Sequence, residues 1–290
     1  MLPLNTWSLQ ARSRITGIFT DIDDTLTTDG VITPDALGAL SKLKAQGLNV
    51  IAITGRPAGW SEPFAIAWPV DAIVAENGAV LLQQMHKKEL QTNENERKQL
   101  SKSYQQSHLV RADNFARIQQ ISQRILHDVP GTLLAQDSAG RETDMAIDHS
   151  EFTQLPPEKM AQVVAIMQAE GMNATVSSIH INGWFDSHNK LTGACWAVRE
   201  LFSRDLMPEI GNWAFVGDST NDQLMFEAFP NSIGVANVRL FEAQLASLPR
   251  YITQDARGAG FAEVAQAVLK AQLVKTLSAA PAFRPAPSRA

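Results

Sequence analysis

Three carboxylates crowd one short stretch, Asp21-Ile22-Asp23-Asp24-Thr25-Leu26, immediately after the apolar run Ile15-Thr16-Gly17-Ile18-Phe19. Unpaired charges at the end of a buried strand carry a heavy desolvation cost, so they must be discharged onto a partner. A divalent metal is the simplest such partner, and hard oxygen ligands of this kind suit Mg²⁺. A metal clamped beside a carboxylate nucleophile is the outline of a phosphoryl-transfer site. Further chemistry-bearing residues stand at strand or helix ends downstream: Thr54-Gly55-Arg56, then Lys190, then Gly217-Asp218-Ser219-Thr220-Asn221-Asp222. Singly each is weak, since Asp-x-Asp pairs are common and a lysine opening a helix is usually solvated. Their order and their strand context give them weight.

The elements that must hold these residues are legible from periodicity. Thr33-Pro34 opens a helix and Gly47 stops it, which predicts a helix over 34–46. Leu48-Asn49-Val50-Ile51-Ala52-Ile53 then reads as a second buried strand, and strand, helix, strand is the parallel βαβ unit. Its right-handed crossover brings both strands' carboxyl ends to one sheet edge, making Asp21 and Thr54 neighbours. Residues 72–75 read as a third strand closing at Glu76-Asn77-Gly78, and residues 79–82 return from it. Residues 83–108 are polar and charged, the texture of an exposed hairpin or loop at a module boundary.

A separate α+β module follows. Phe115, Ile118, Ile121 and Ile125 mark one helix, ended by Pro130-Gly131, and Met160, Val163, Val164 and Met167 mark another. Residues 132–135, 145–147 and 175–181 read as strands. From Asn189 the α/β pattern resumes, with strands over 213–216, 232–236 and 251–253 and helices near 190–201, 221–229, 238–247 and 260–275. The tail over 277–290, rich in proline and alanine, is expected to be disordered. The fold class is therefore α/β, a Rossmann-like parallel-sheet core over 1–82 and 186–276, interrupted by an α+β domain over 83–185.

The chain has 290 residues, 44% hydrophobic content and a formal charge of −5. That is room for two ordinary domains, and the acidic balance argues against a nucleic-acid or anionic-membrane surface. A single cysteine forms no intrachain disulfide, Met1 to Trp7 has no signal-peptide pattern, and no apolar run is long enough to span a bilayer. The expected setting is the cytoplasm.

In order and spacing these motifs resemble the haloacid dehalogenase-like (HAD) phosphatase superfamily, in the branch whose large α+β cap is inserted between the second and third motifs. That branch includes Cof-like, sucrose-phosphate and mannosyl-3-phosphoglycerate phosphatases. Asp21-Ile22-Asp23-Asp24-Thr25-Leu26 resembles the first motif, Ile53-Thr54-Gly55-Arg56-Pro57 the second, Lys190 the third and Gly217 to Asp222 the fourth, with Glu76-Asn77-Gly78-Ala79 typical before the cap. Two departures stand out. Asp24 occupies a position that is glycine in many relatives, and Lys190-Leu191-Thr192-Gly193 delays a glycine that usually follows the lysine directly.

The resemblance implies that Asp21 is the nucleophile, forming a transient aspartyl phosphate, and that Asp23 protonates the leaving group and then activates water. Mg²⁺ is then held by the Asp21 and Asp218 carboxylates and the Asp23 carbonyl, with Asp222 steadying the site. Thr54, Gly55, Lys190 and Asn221 bind the phosphate. The substrate is a small phosphorylated metabolite, with a sugar phosphate favoured. The cap decides its identity, and Arg141, His180, Asn182 and Trp184 are the candidate specificity residues. A phosphomutase of the same superfamily and a non-catalytic metabolite-binding regulator are the alternatives.

Overall fold

A computed structural model describes residues 1–85 and 100–279. The buried strand Gly17–Thr20 lies in the middle of a nine-stranded sheet, between Trp213–Gly217 on one side and Asn49–Ile53 on the other. Beyond Trp213–Gly217 come Ser232–Gly234, Tyr251–Ile252 and Leu2–Pro3, and beyond Asn49–Ile53 comes Ala72–Ala75, all parallel. Val80–Gln84 and Leu100–Tyr104 complete the other edge antiparallel. Leu100–Tyr104 lies within the span 83–185 assigned above to the insertion, yet it pairs with the large sheet.

A parallel sheet must be covered on both faces, and the alternation of side chains does this here. Ile18, Val50, Ala52, Ala214 and Val216 point into one core with helices Pro34–Ala45, Ala58–Ala67 and Arg257–Ala279. Phe19, Ile51, Ile53 and Phe215 point into the other with helices Lys190–Phe202 and Gln223–Ala228.

The second sheet is antiparallel, in the order Asn173–Val176, His180–Trp184, Asp144–Asp148, Leu133–Leu134. Its Met145, Ile147 and Ile181 pack beneath helices His108–Asp128 and Pro157–Ala169 through Ile118, Ile121, Ile125, Val163 and Met167. Period-two alternation sends the intervening side chains, among them Asp144, His180, Asn182 and Trp184, to the opposite face.

Several local expectations are corrected. Residues 175–181 do not form one strand. Ser177 Oγ accepts the N–H groups of Ile179 at 3.3 Å and His180 at 3.0 Å, closing a turn between two strands. Phe115 is exposed rather than on the buried face of its helix. Helix Ala58–Ala67, which carries an internal Pro63, was not anticipated. The last helix runs to Ala279 and takes in the start of the expected tail, whereas the remainder of that tail and residues 86–99 of the polar stretch lie outside the described residues. No described helix is long and apolar enough to cross a membrane.

Candidate active site

The parallel register brings three chain segments to one edge of the sheet, where Asp21, Thr54 and Asp218 directly follow neighbouring strands. Lys190 reaches the same point from the first residue of its helix, whose end is closed by a reciprocal cap between Asn189 and Thr192. The Lys190 Nζ donates to Asp21 Oδ1 at 2.6 Å and to Asp222 Oδ1 at 2.7 Å, with all three side chains buried.

Asp222 is drawn in by backbone: its Oδ2 accepts the N–H of Asp218 at 2.9 Å and that of Ser219 at 3.4 Å. This requires glycine at 217, because a Cβ there would lie 2.3 Å from Asp222 Oδ2. A second glycine constraint sets the height of Lys190. Gly78, at φ +112°, and Gly193 meet backbone to backbone, and a Cβ on Gly193 would fall 2.5 Å from Gly78 Cα. The glycine delayed past Lys190 is therefore the one that lets its helix approach the Glu76–Gly78 turn.

Asp21, Asp218 and Asp222 offer oxygens within 4.8 Å of one another. Burial pushes the Asp21 carboxyl up to about 8, against the pull of Lys190, and burial together with Asp21 and Asp222 raises Asp218 well above the carboxylate range. Lys190 is raised despite its own burial, because Asp21 and Asp222 favour its charged form. Fully ionised, three carboxylates against one ammonium would leave excess buried negative charge, which is why Asp21 and Asp218 resist ionisation without a further cation. Asp218 Oδ1 is buried with no hydrogen-bond partner among the described residues, while Oδ2 accepts from Asn237 Nδ2 at 3.1 Å. A spare carboxylate oxygen within an over-acidic cluster of hard donors fits a divalent cation.

Asp23 is held by a group to which the sequence assigned no role. Arg56 Nε lies 3.0 Å from both Asp23 oxygens, and its two Nη atoms donate to Asp137 at 3.0 Å and to Glu151 at 2.6 and 3.2 Å. Glu151 Oε2 is also 2.8 Å from His180 Nε2. Burial alone raises the Glu151 carboxyl, but the bonds from His180 and Arg56 bring it down to about 2. Asp137 and Glu151 lie 81 and 95 residues from Arg56, and no local pattern in their loops announces them. Asp24, at φ 55°, pairs with Arg257 at 3.0 Å rather than with the cluster.

The other predicted site residues fall into two groups. Thr54 Oγ1 accepts the Arg56 N–H at 3.0 Å and keeps its own proton to donate. Asn221 Oδ1 accepts from Ser219 Oγ at 3.0 Å. The Gly55 carbonyl, in contrast, is occupied by the insertion, taking Arg141 Nη1 at 3.0 Å and Asn182 Nδ2 at 3.3 Å. Arg141 is itself buried against Asp144 at 2.7 Å, and burial lifts the Asp144 carboxyl to about 7 despite that pairing. Trp184 is buried, donating Nε1 to the His188 carbonyl at 2.8 Å. Glu76 was read only as part of a turn. Its carboxylate caps Ala58 N–H at 2.9 Å and also takes Thr143 N–H at 2.6 Å, joining the two sheets.

A sequence profile of haloacid dehalogenase-like hydrolases matches residues 18–264. No curated protein sequence matches the chain. Among solved structures, protein 0175 of Thermoplasma acidophilum superposes with a TM-score of 0.63 at 16% identity, covering 88% of this chain and 98% of that one. The sucrose-phosphatase of Synechocystis sp. PCC6803, solved with sucrose and phosphate, gives 0.60 at 15% identity over 87% and 97%. A trehalose-6-phosphate phosphatase related protein gives 0.54 at 16% over 90% and 99%. These identities are a likeness of fold.

Proposed function

The chain belongs to the haloacid dehalogenase-like hydrolase family, and from that premise we propose that it is a Mg²⁺-dependent phosphomonoesterase acting on a small phosphorylated metabolite, a sugar phosphate in particular. The observation that carries this reading is Lys190 bridging Asp21 and Asp222 beside the unpartnered oxygen of Asp218. A merely structural cluster has no use for an excess of buried carboxylate. The sugar-phosphate preference is supported by the sucrose-phosphatase and trehalose-6-phosphate phosphatase related neighbours.

Asp21 is the nucleophile. Its carboxylate attacks phosphorus, the bond to the leaving oxygen breaks, and an aspartyl phosphate forms on the side chain. Two anions repel, and the Asp21 and Asp218 carboxylates with the Asp23 carbonyl would hold the Mg²⁺, Asp222 supporting them from behind. When bound, the ion supplies charge neutralisation for both nucleophile and phosphate. Lys190 adds a fixed positive charge against the oxygens of the transferring group, and the Thr54 hydroxyl and Asn221 amide supply further donors. Asp23 gives its proton to the leaving oxygen and later takes one from the water that cleaves the acyl phosphate. Arg56 aims that carboxylate, and its further bonds to Asp137 and Glu151 couple the aim to the seating of the insertion over 83–185, which acts as the cap.

The test is a screen of phosphorylated metabolites with Mg²⁺, scored by kcat/KM, comparing wild type with Asp21→Asn. Phosphate release by the wild type and its loss in the variant support the reading. Equal release by both sinks it, and formation of an isomeric phosphate in place of free phosphate identifies a mutase.

A further inference from the structure

The loop Thr54-Gly55-Arg56 is gripped at each of its three carbonyls. Two are held by the turn of the core itself: the Asn77 N–H donates to the Thr54 carbonyl at 2.9 Å, and the Glu76 N–H to the Arg56 carbonyl at 3.0 Å. The middle carbonyl, that of Gly55, is held among the described residues by the insertion, through Arg141 Nη1 at 3.0 Å and Asn182 Nδ2 at 3.3 Å. It belongs to the Gly55–Arg56 peptide, whose N–H donates to Thr54 Oγ1 at 3.0 Å. The carbonyl and N–H of one planar peptide cannot turn separately, so whatever fixes the first fixes the second. With one lone pair of Thr54 Oγ1 taken in this way, the hydroxyl proton is directed elsewhere, as a donor.

The two donors are themselves fixed. Arg141 Nη1 also bonds both oxygens of Asp144, at 2.7 and 2.9 Å, and Asn182 Nδ2 lies 3.4 Å from Asp144 Oδ2. Arg141 and Asn182 are 5% and 1% exposed, so neither has surface to offer a leaving group. The lack of a side chain at Gly55 is what admits them: a Cβ there would crowd Asn77 Oδ1 at 3.2 Å and Asn182 Oδ1 at 3.3 Å. A buried guanidinium and carboxylate carry a desolvation cost that a packed apolar pair avoids. What this pair supplies is a rigid donor aimed at one peptide plane.

We propose that Arg141 and Asn182 are positioning residues: by holding the Gly55 carbonyl they set the Gly55–Arg56 peptide plane, which aims the Thr54 hydroxyl at the transferring phosphoryl group. They act only while the insertion is seated, so the phosphate site is complete only then. This rests on the phosphatase reading for the group that Thr54 meets, whereas the control of the peptide plane does not.

The experiment has two arms. In the first, the ion pair is removed as a unit, Arg141→Met with Asp144→Asn, so that no buried charge is stranded. The kcat and KM for one hydrolysed phosphomonoester are measured for this variant alone and in a Thr54→Val background. A fall of roughly tenfold to a hundredfold is expected, mainly in kcat, because the hydroxyl is misaimed. In the Thr54→Val background the same change should cost less than about twofold further. A full multiplicative loss there, or an unchanged kcat in the first background, overturns the proposal. Arg141 also touches Asp137, a partner of Arg56, at 3.3 Å, whereas Asn182 bonds only Gly55 and Asp144. Asn182→Ala therefore isolates the carbonyl, and it carries the same cycle if the paired variant does not fold. Glu142→Ala removes bonds from the insertion to Lys102 and Tyr104, away from the loop. It should keep kcat within about twofold of wild type. A fall as large as that of the paired variant would make seating alone the cause and overturn the proposal.

The second arm needs no turnover. Amide hydrogen exchange is followed in the intact chain, comparing the Arg56 N–H with the Glu76 and Asn77 N–H groups that bond the flanking carbonyls. In the paired variant the Arg56 N–H should exchange roughly tenfold faster relative to those two, the loss of one hydrogen bond to a charged group. A parallel change in all three, or no change, overturns the proposal. If the wild type releases phosphate from no substrate, the phosphatase reading fails, and this arm alone decides whether the insertion sets the peptide plane.

Discussion

At the scale of single residues the site is a problem in charge balance. Lys190 is the only cation touching the Asp21 and Asp222 carboxylates among the described residues, and it is almost fully buried with them. Lys190→Met therefore leaves two buried carboxylates uncompensated and is expected to cost about 3–5 kcal/mol in urea unfolding. An unchanged midpoint would show that the cluster is already neutralised by protonation. Asp23 carries no such structural weight, since Arg56 keeps Asp137 and Glu151 when it is replaced. Asp23→Asn is expected to leave unfolding near wild type while slowing phosphate release by roughly 10²- to 10⁴-fold, the usual share of a positioned proton shuttle. Full activity in Asp23→Asn would remove it from the mechanism.

At the scale of elements, how closely the helices approach one another decides where these side chains end up. The helix opening at Lys190 crosses the Glu76–Gly78 turn at a contact that admits no side chain. Gly193→Ala gains about 1 kcal/mol of helix propensity. Against that, a Cβ 2.5 Å from Gly78 Cα meets backbone that cannot rotate away, and overpacking of this kind costs about 1–3 kcal/mol. The packing term wins, so the variant is expected to be less stable and to turn over more slowly as Lys190 shifts. Gly38, inside Pro34–Ala45, is the control: a Cβ there meets nothing within 4 Å. Gly38→Ala is expected to stabilise by about 0.5–1 kcal/mol from propensity alone, and chemical denaturation of the two variants separates the effects.

At the scale of the whole molecule, the two sheets are joined by ion pairs across the site, and these make the junction sensitive to acid. Glu151 has an ordinary carboxyl value of 4.5 and lies near 2 when bound to His180 and Arg56. Its folded value is depressed, so its contribution is complete above about 4.5, where both states are ionised, and is lost as pH falls toward 2. Glu151→Gln should flatten the acid limb of a stability–pH profile over that window; a limb as steep as the wild type's would place the acid sensitivity elsewhere. The carboxylate cluster has the matching metal prediction. Mg²⁺ should raise the thermal midpoint, excess EDTA should reverse the rise and abolish phosphate release, and turnover that persists in EDTA would exclude a metal requirement.

What the sequence determined by itself is whatever depends on neighbours along the chain. Apolar runs of strand length ending in Asp21, Thr54 and Asp218 dictate parallel strands, and parallel strands put their carboxyl ends on one edge, as the register has them. Pro34 at the first helical position bounds its helix for the same local reason, although the Thr33 side chain makes no cap bond there. What depends on approach through space was decided only by the tertiary structure. Glu151 and Asp137 meet Arg56 across more than 80 residues, a distance at which no periodicity carries information. The turn at Ser177 overrode an alternating pattern because a side-chain oxygen could satisfy two backbone donors at once. Arg141 and Asn182 both bond the Gly55 carbonyl, Asn182 from the strand face that period-two alternation turns toward the large sheet and Arg141 from the turn before Asp144–Asp148, an approach no local pattern carries. Of the three carboxylates that demanded a partner from the start, folding gave Asp21 to Lys190, Asp23 to Arg56 and Asp24 to Arg257, and the oxygen it left open belongs to Asp218.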